Sequence, residues 1–151
     1  MEKLTVERSI WIAAPRERVW RAITDPEQVE QWFSPGTPWK LSALQVGGKL
    51  SVYNPDTDTD MYIHILEIVD PPHQLAMRTE PEPPDTPRVT TWTLEEENGG
   101  TRVTVTESGF ERMPDDIRQK RMDEDGMGFG MLLENLKAYV DGRNLPYPEG
   151  F

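Results

Sequence analysis

Few residues in this chain are equipped for chemistry. There is no cysteine, which excludes thiolate nucleophiles, thiolate zinc sites, iron–sulfur clusters and disulfides. There are two histidines, His64 and His73. They stand nine residues apart and share no helical face, so a two-histidine metal site has no support. No Ser-His-Asp constellation is readable, and two histidines leave few nucleophile–base pairs. Val46-Gly47-Gly48-Lys49 lacks the spacing of a phosphate-binding loop. Asp56-Thr57-Asp58-Thr59-Asp60, with Glu67 eleven residues after Asp56, imitates the carboxylate spacing of a calcium loop. The position that needs glycine is Met61, however, and the flanks read as strands. The segment is expected to be a solvated hairpin tip. Glu107 is different. It continues the alternation of Val103 and Val105, which turns its side chain inward. An inward carboxyl has a raised pKa unless it finds a partner. It either anchors a ligand or acts as a base, or it reaches water or an arginine at an open end of the sheet. Glu107 and His64 are therefore the candidate catalytic residues. No cofactor and no metal is called for.

Charge narrows the field further. Acidic residues number 27 and basic residues 16, a net charge of −11 over 151 residues. No Lys/Arg run forms a basic face, which argues against a nucleic-acid partner. No apolar run approaches the ~20 residues of a membrane span. Residues 1–5 carry no signal-peptide core. The expectation is a single domain across 1–151, cytoplasmic, with a core over 4–141 and an irregular tail over 142–151.

The elements that must position these residues follow from periodicity. Residues 4–12 alternate, with Leu4, Val6, Ile10 and Ile12 on one face, so a strand is predicted. Arg8 interrupts the apolar face and Trp11 the polar one. Pro15 opens a helix carrying Val19, Ala22 and Ile23. Asp25-Pro26 caps a second, short helix over 27–32. Strands are then predicted over 39–44, 49–53, 62–69, 74–79, 89–96 and 101–107. Gly47-Gly48 and Asn98-Gly99-Gly100 supply positive φ for tight turns. Pro71-Pro72 marks a turn or bulge, and the four prolines of 81–87 mark an extended loop. Phe129, Leu132, Leu133, Leu136 and Val140 form the stripe of a long amphipathic helix that begins between Asp115 and Met122. Gly126, Gly128 and Gly130 inside it signal a kink or a close approach to the sheet.

The predicted class is α+β: a curved antiparallel sheet of six to seven strands with a long terminal helix across it. A helix over a curved sheet needs large side chains to fill the concave volume. Met77, Trp92, Met122, Met127, Phe129 and Met131 are the inward candidates. Trp32, Phe33 and Trp39, clustered with Pro35 and Pro38, either line a cavity mouth or pack under the short helices. Methionine adapts to irregular apolar partners. These ten positions, with Glu107 among them, are either a packed core or the lining of a pocket for a hydrophobic small molecule.

The residues also resemble a known family. Ala14-Pro15 through Val19-Trp20, Ala22-Ile23-Thr24 and Asp25-Pro26 resemble the opening of the START-like SRPBCC superfamily. The likeness is narrower to bacterial proteins related to the C-terminal domain of the activator of heat-shock protein 90 ATPase. Gln31-Trp32-Phe33, Val46-Gly47-Gly48-Lys49, Glu67 with Pro71-Pro72 and Leu75, Gly99-Gly100-Thr101-Arg102-Val103-Thr104-Val105, and Gly128-Phe129 with Leu132, Leu136 and Tyr139 continue the match in order. The resemblance implies a helix-grip fold with an internal cavity. It departs at Phe33 and Phe129, where the family pattern carries tryptophan, and at Glu107, where it carries histidine or another polar residue. Relatives hold lipids, sterols or polyketides, so the resemblance implies binding of a lipid-like or aromatic molecule, with a non-catalytic role favoured. The alternatives are a stress-related co-chaperone or protein-interaction module, with a chaperone as partner, and an enzyme of the cyclase or aromatase type.

Overall fold

A computed structural model describes residues 4–33, 35, 37–79 and 86–149. The alternating first segment forms β1 (Val6–Ile12), shorter than the predicted strand by two residues. Pro15 precedes α1 (Arg16–Thr24), and Asp25 caps α2 (Pro26–Trp32) by accepting a hydrogen bond from the Glu27 backbone N–H at 3.1 Å. Six strands follow: β2 (Trp39–Leu41), β3 (Lys49–Asn54), β4 (Thr59–Asp70), β5 (Gln74–Thr79), β6 (Arg88–Glu97) and β7 (Gly100–Ser108). A 3-10 turn, Phe110–Arg112, leads into α3 (Asp115–Val140). All strand pairs are antiparallel, in the order β1-β7-β6-β5-β4-β3-β2. The sheet is open and curved around the helix, as in a helix-grip fold.

Two departures from the sequence reading have local causes, and Gly126 takes the close-approach alternative offered for the helix glycines. The strand predicted over 39–44 stops at Leu41, because Ser42 closes a loop onto Lys49 through backbone and side-chain hydrogen bonds of 2.9 and 2.8 Å. In that loop only Gly47 takes positive φ. Gly48 is needed for close approach instead, since a Cβ there would overlap the Ala43 carbonyl. The glycines of α3 do not break it. Gly126 is where the helix comes close to β1, and a Cβ would meet the Arg8 guanidinium. Arg8, the residue that interrupts the apolar face of β1, thus lies against a helix position without a side chain. Most of the proline-rich loop, 80–85, lies outside the described residues.

The concave side holds the main core. Ile12, Val19, Trp20, Ile23, Trp32, Leu50, Leu66, Leu75, Trp92, Leu94, Val103, Val105, Leu132, Leu133 and Leu136 are buried together. A smaller cluster of Val6, Phe110 and Met113 lies beneath the start of α3, with Phe129 touching both clusters. The tail has no regular structure but is tied down. Asn135, fully buried in α3, donates to the Trp32 and Tyr147 carbonyls at 3.0 and 2.8 Å and accepts from the Tyr147 N–H at 2.9 Å.

Candidate functional site

Register decides which side chains share the concave face, because residues paired across antiparallel strands point the same way. Leu66 pairs with Met77, Met77 with Thr90, Thr90 with Glu107, and Glu107 with Val6. The row beside it runs Leu50, His64, Thr79, Arg88. Two rows of one face thus hold an apolar–polar boundary, with α3 above. Asp125 comes down from that helix, four residues before Phe129.

The centre of the polar end is Glu107, buried at 7% exposure. Arg88 Nε lies 3.0 Å from Glu107 Oε1 and 3.8 Å from Asp125 Oδ2. The Thr90 hydroxyl reaches Glu107 Oε2 at 3.4 Å. Neither Glu107 Oε1 nor Asp125 Oδ2 receives an aligned hydrogen bond, although both are buried. Burial pushes the Glu107 carboxyl up to about 8, helped by its hydrogen bond and charge contact with Asp125, against the opposing Arg88 and Thr90. The attraction of one guanidinium is shared between two carboxylates, so it does not offset desolvation and repulsion together. The direction of this shift favours the protonated Glu107 carboxyl, and a proton between the two carboxyl groups gives the pair the donor it otherwise lacks.

His64 is half-buried on the same face, its ring 6.3 Å from that of Trp39. Burial lowers its pKa, opposed by the carbonyls of Leu50 and Tyr62, so the imidazole is neutral at pH 7. Glu107 on β7 and His64 on β4 are three strands apart, roughly 14 Å at ordinary strand spacing. They do not form an acid–base pair. His73 is far from both, on the β4–β5 turn with Nδ1 2.7 Å from Arg16.

The aromatic candidates assemble at the other end. Trp32 packs edge-on to Phe33 (5.7 Å) and Trp92 (6.3 Å), and Phe33 packs edge-on to Trp39 (5.3 Å). Met77 and Trp92 are buried in the main core, and Met122 is half-buried against the smaller cluster. Met127 is a correction. It is 71% exposed, because two residues before Phe129 is about 200° around the helix. Met131 shares its side, is half-buried and joins neither core cluster. Arg88, Thr90 and Asp125 were missed. Their signals were present: Arg88 and Thr90 lead the alternation to Trp92 and Leu94, and Asp125 sits in phase with Phe129 and Leu132.

Two surface grooves are bounded by described residues. One, of about 250 Å³, is lined by Pro38, Trp39, Lys40, Tyr53 and Asp58 on the β2–β3 side. The other lies along α2 at Glu27, Glu30, Gln31 and Pro35. The acidic segment 56–60 is an exposed hairpin tip, where Asp58 accepts from the Tyr53 hydroxyl at 2.7 Å. Among the described residues, no cluster of three or more His, Asp or Glu is placed to hold a metal ion. Among them too, no helix is long and apolar enough to cross a membrane.

Comparison with known proteins agrees with this architecture. The model of the activator of Hsp90 ATPase homolog 1-like protein family matches residues 13–141. The chain belongs to that family. MLL2253 from Mesorhizobium loti is 24% identical over 93% of this chain and 99% of that one, with a TM-score of 0.74. CalU16 from Micromonospora echinospora is 21% identical over 90% and 75%, at 0.71. DynU16, of the dynemicin biosynthetic locus, is 25% identical over 99% of this chain at 0.73, and the match takes in 51% of DynU16. A comparison with curated protein sequences gave no significant match. At these identities the solved structures establish the shared fold.

Proposed function

We propose that this family member binds an amphipathic small molecule, with a lipid-like or aromatic body, on the concave face beneath α3, without transforming it. The observation that carries this reading is the composition of that face. A core that only stabilises a fold has no use for a buried Glu107–Arg88–Asp125 cluster, which costs desolvation energy that apolar residues of similar volume avoid. Here the cluster sits in register beside Met77 and Thr90, with Trp92 and Phe129 adjoining. Apolar walls with a few convergent polar groups are the usual make-up of a small-molecule site. A non-catalytic role is favoured because Glu107 and His64 stand apart. The test is native mass spectrometry of protein purified from its own host. A retained small molecule, with NMR shifts at Met77, Trp92 and Phe129 on re-addition, is the expected result. Shifts confined to the outer surface in a screen of lipids and aromatic metabolites overturn the reading.

A protein-interaction role is the second reading. It rests on the run Met61-Tyr62-Ile63, whose large apolar side chains are exposed on β4. A pull-down with a chaperone that depends on these three residues distinguishes it.

A further inference from the structure

The polar end contains two carboxyl groups and one guanidinium in contact, all largely buried: side-chain exposure is 9% for Glu107, 14% for Arg88 and 23% for Asp125. Counted as ions, these three groups carry one net negative charge. A buried charge without a partner is expensive, so a second cation is required. In the unliganded protein that cation is a proton. The oxygens that need it, Glu107 Oε1 and Asp125 Oδ2, are the two that receive no aligned donor.

We propose that the Glu107–Asp125 carboxyl pair is the seat for a cationic nitrogen: a protonated amine on an apolar or aromatic body displaces the shared proton. The inference rests on the ligand-binding reading above and specifies the class of ligand. An ammonium offers three N–H donors and one positive charge, which satisfies both oxygens and balances the cluster. An anionic ligand would meet two carboxylates around one guanidinium. Among the described residues, the other groups on the neighbouring strands do not supply the missing charge. On β4, His64 is neutral; on β5, Thr79 is uncharged and donates to the Arg88 carbonyl at 3.4 Å; on β1, Arg8 lies against Gly126 of α3 and bonds to the Glu7 carbonyl at 2.7 Å. Arg121 on α3 pairs with Glu124 at 3.7 Å. The partial exposure of Asp125 marks the side from which the cluster meets solvent. Met77 and Trp92 flank it from the sheet, where an aromatic face also favours a cation. The exchange is balanced: the amine enters as R–NH3+, Glu107 passes from acid to carboxylate, and one proton leaves to the buffer.

The test uses three probes with one body: 4-phenylbutylamine, 4-phenylbutan-1-ol and 4-phenylbutanoic acid. Each is titrated calorimetrically into the protein at pH 7 in two buffers of different ionisation enthalpy. The amine is expected to bind at least about tenfold more tightly than the other two and to release close to one proton per molecule bound. Glu107→Gln and Asp125→Asn are each expected to remove the proton release and the tenfold preference of the amine over the alcohol. Two variants are used so that a folding failure of one leaves the other readable. Equal or tighter binding of the alcohol or the acid, or amine binding without proton release, overturns the cation site while the ligand-binding reading stands. No binding of any probe at millimolar concentration also overturns it, and the retained-ligand measurement then decides the broader reading separately.

Discussion

At the Trp32 end of the concave face, the buried polar atoms of Trp32 and Asn135 are satisfied. The Trp32 indole N–H donates to the Ala22 carbonyl at 2.8 Å, and Asn135 meets its two main-chain partners with three hydrogen bonds. At the Glu107 end, the same sheet and the same helix bury ions whose hydrogen-bonding capacity depends on a single proton. The difference separates two uses of burial. The first end holds α1, α2, α3 and the tail together. The second buries charged groups at a cost in stability, which is the arrangement the proposed ligand site calls for.

Breaking the apolar end has the largest effect. Trp32→Ala removes a fully buried ring that touches Phe33 and Trp92, and is expected to cost about 3–5 kcal/mol in urea melts. A loss below about 1 kcal/mol would mean that this end is not the stabilising one.

The Glu107 end responds to pH instead. Its folded-state pKa of about 8 exceeds the ordinary 4.5, so the folded state holds a proton that the unfolded chain has released. The contribution is fully present below about pH 4.5, is lost progressively as pH rises through 8, and is flat above that. Glu107→Gln cannot ionise. Across pH 5 to 9 the stability of the wild type is expected to fall relative to the variant by roughly 2–4 kcal/mol, measured by parallel denaturant melts. A constant difference across that range refutes the buried, proton-holding Glu107.

Asn135→Ala strands the Tyr147 backbone N–H and carbonyl, and is expected to cost about 1–3 kcal/mol. Hydrogen exchange at Tyr147 should accelerate while exchange in β6 and β7 follows global stability alone. Met127→Ala, at an exposed helix position, is expected to stay within about 0.5 kcal/mol of the wild type. A larger loss would place Met127 in a contact that its exposure does not indicate.

Local signals are legible in the sequence. Gln74–Thr79 matches the predicted strand at both ends, because β5 is bounded by a Pro-Pro turn and a proline-rich loop that announce its limits. Asn98-Gly99 forms its turn with φ of 49° and 80°, as that dipeptide favours. The inward aim of Glu107 followed from alternation with Val103 and Val105, and both neighbours are fully buried. The helix is less legible in the sequence. Met127 has the residue type of an inward position, but its angle relative to Phe129 turns it to solvent.

The alternation of β7, the proline before α1, the aspartate cap of α2 and the stripe of α3 are properties of the chain itself. Each arises from backbone geometry acting over a few residues, so the sequence alone determined that Glu107 faces the helix and that the interior is largely apolar. It could not determine what Glu107 meets there. Arg88 stands 19 residues before it and Asp125 18 after it, on different elements. Periodicity reports direction, not distance. The register of β6 on β7 and the docking of α3 over β1 bring the three side chains into one contact, where burial first and the second carboxylate next outweigh the shared guanidinium and push the Glu107 carboxyl up.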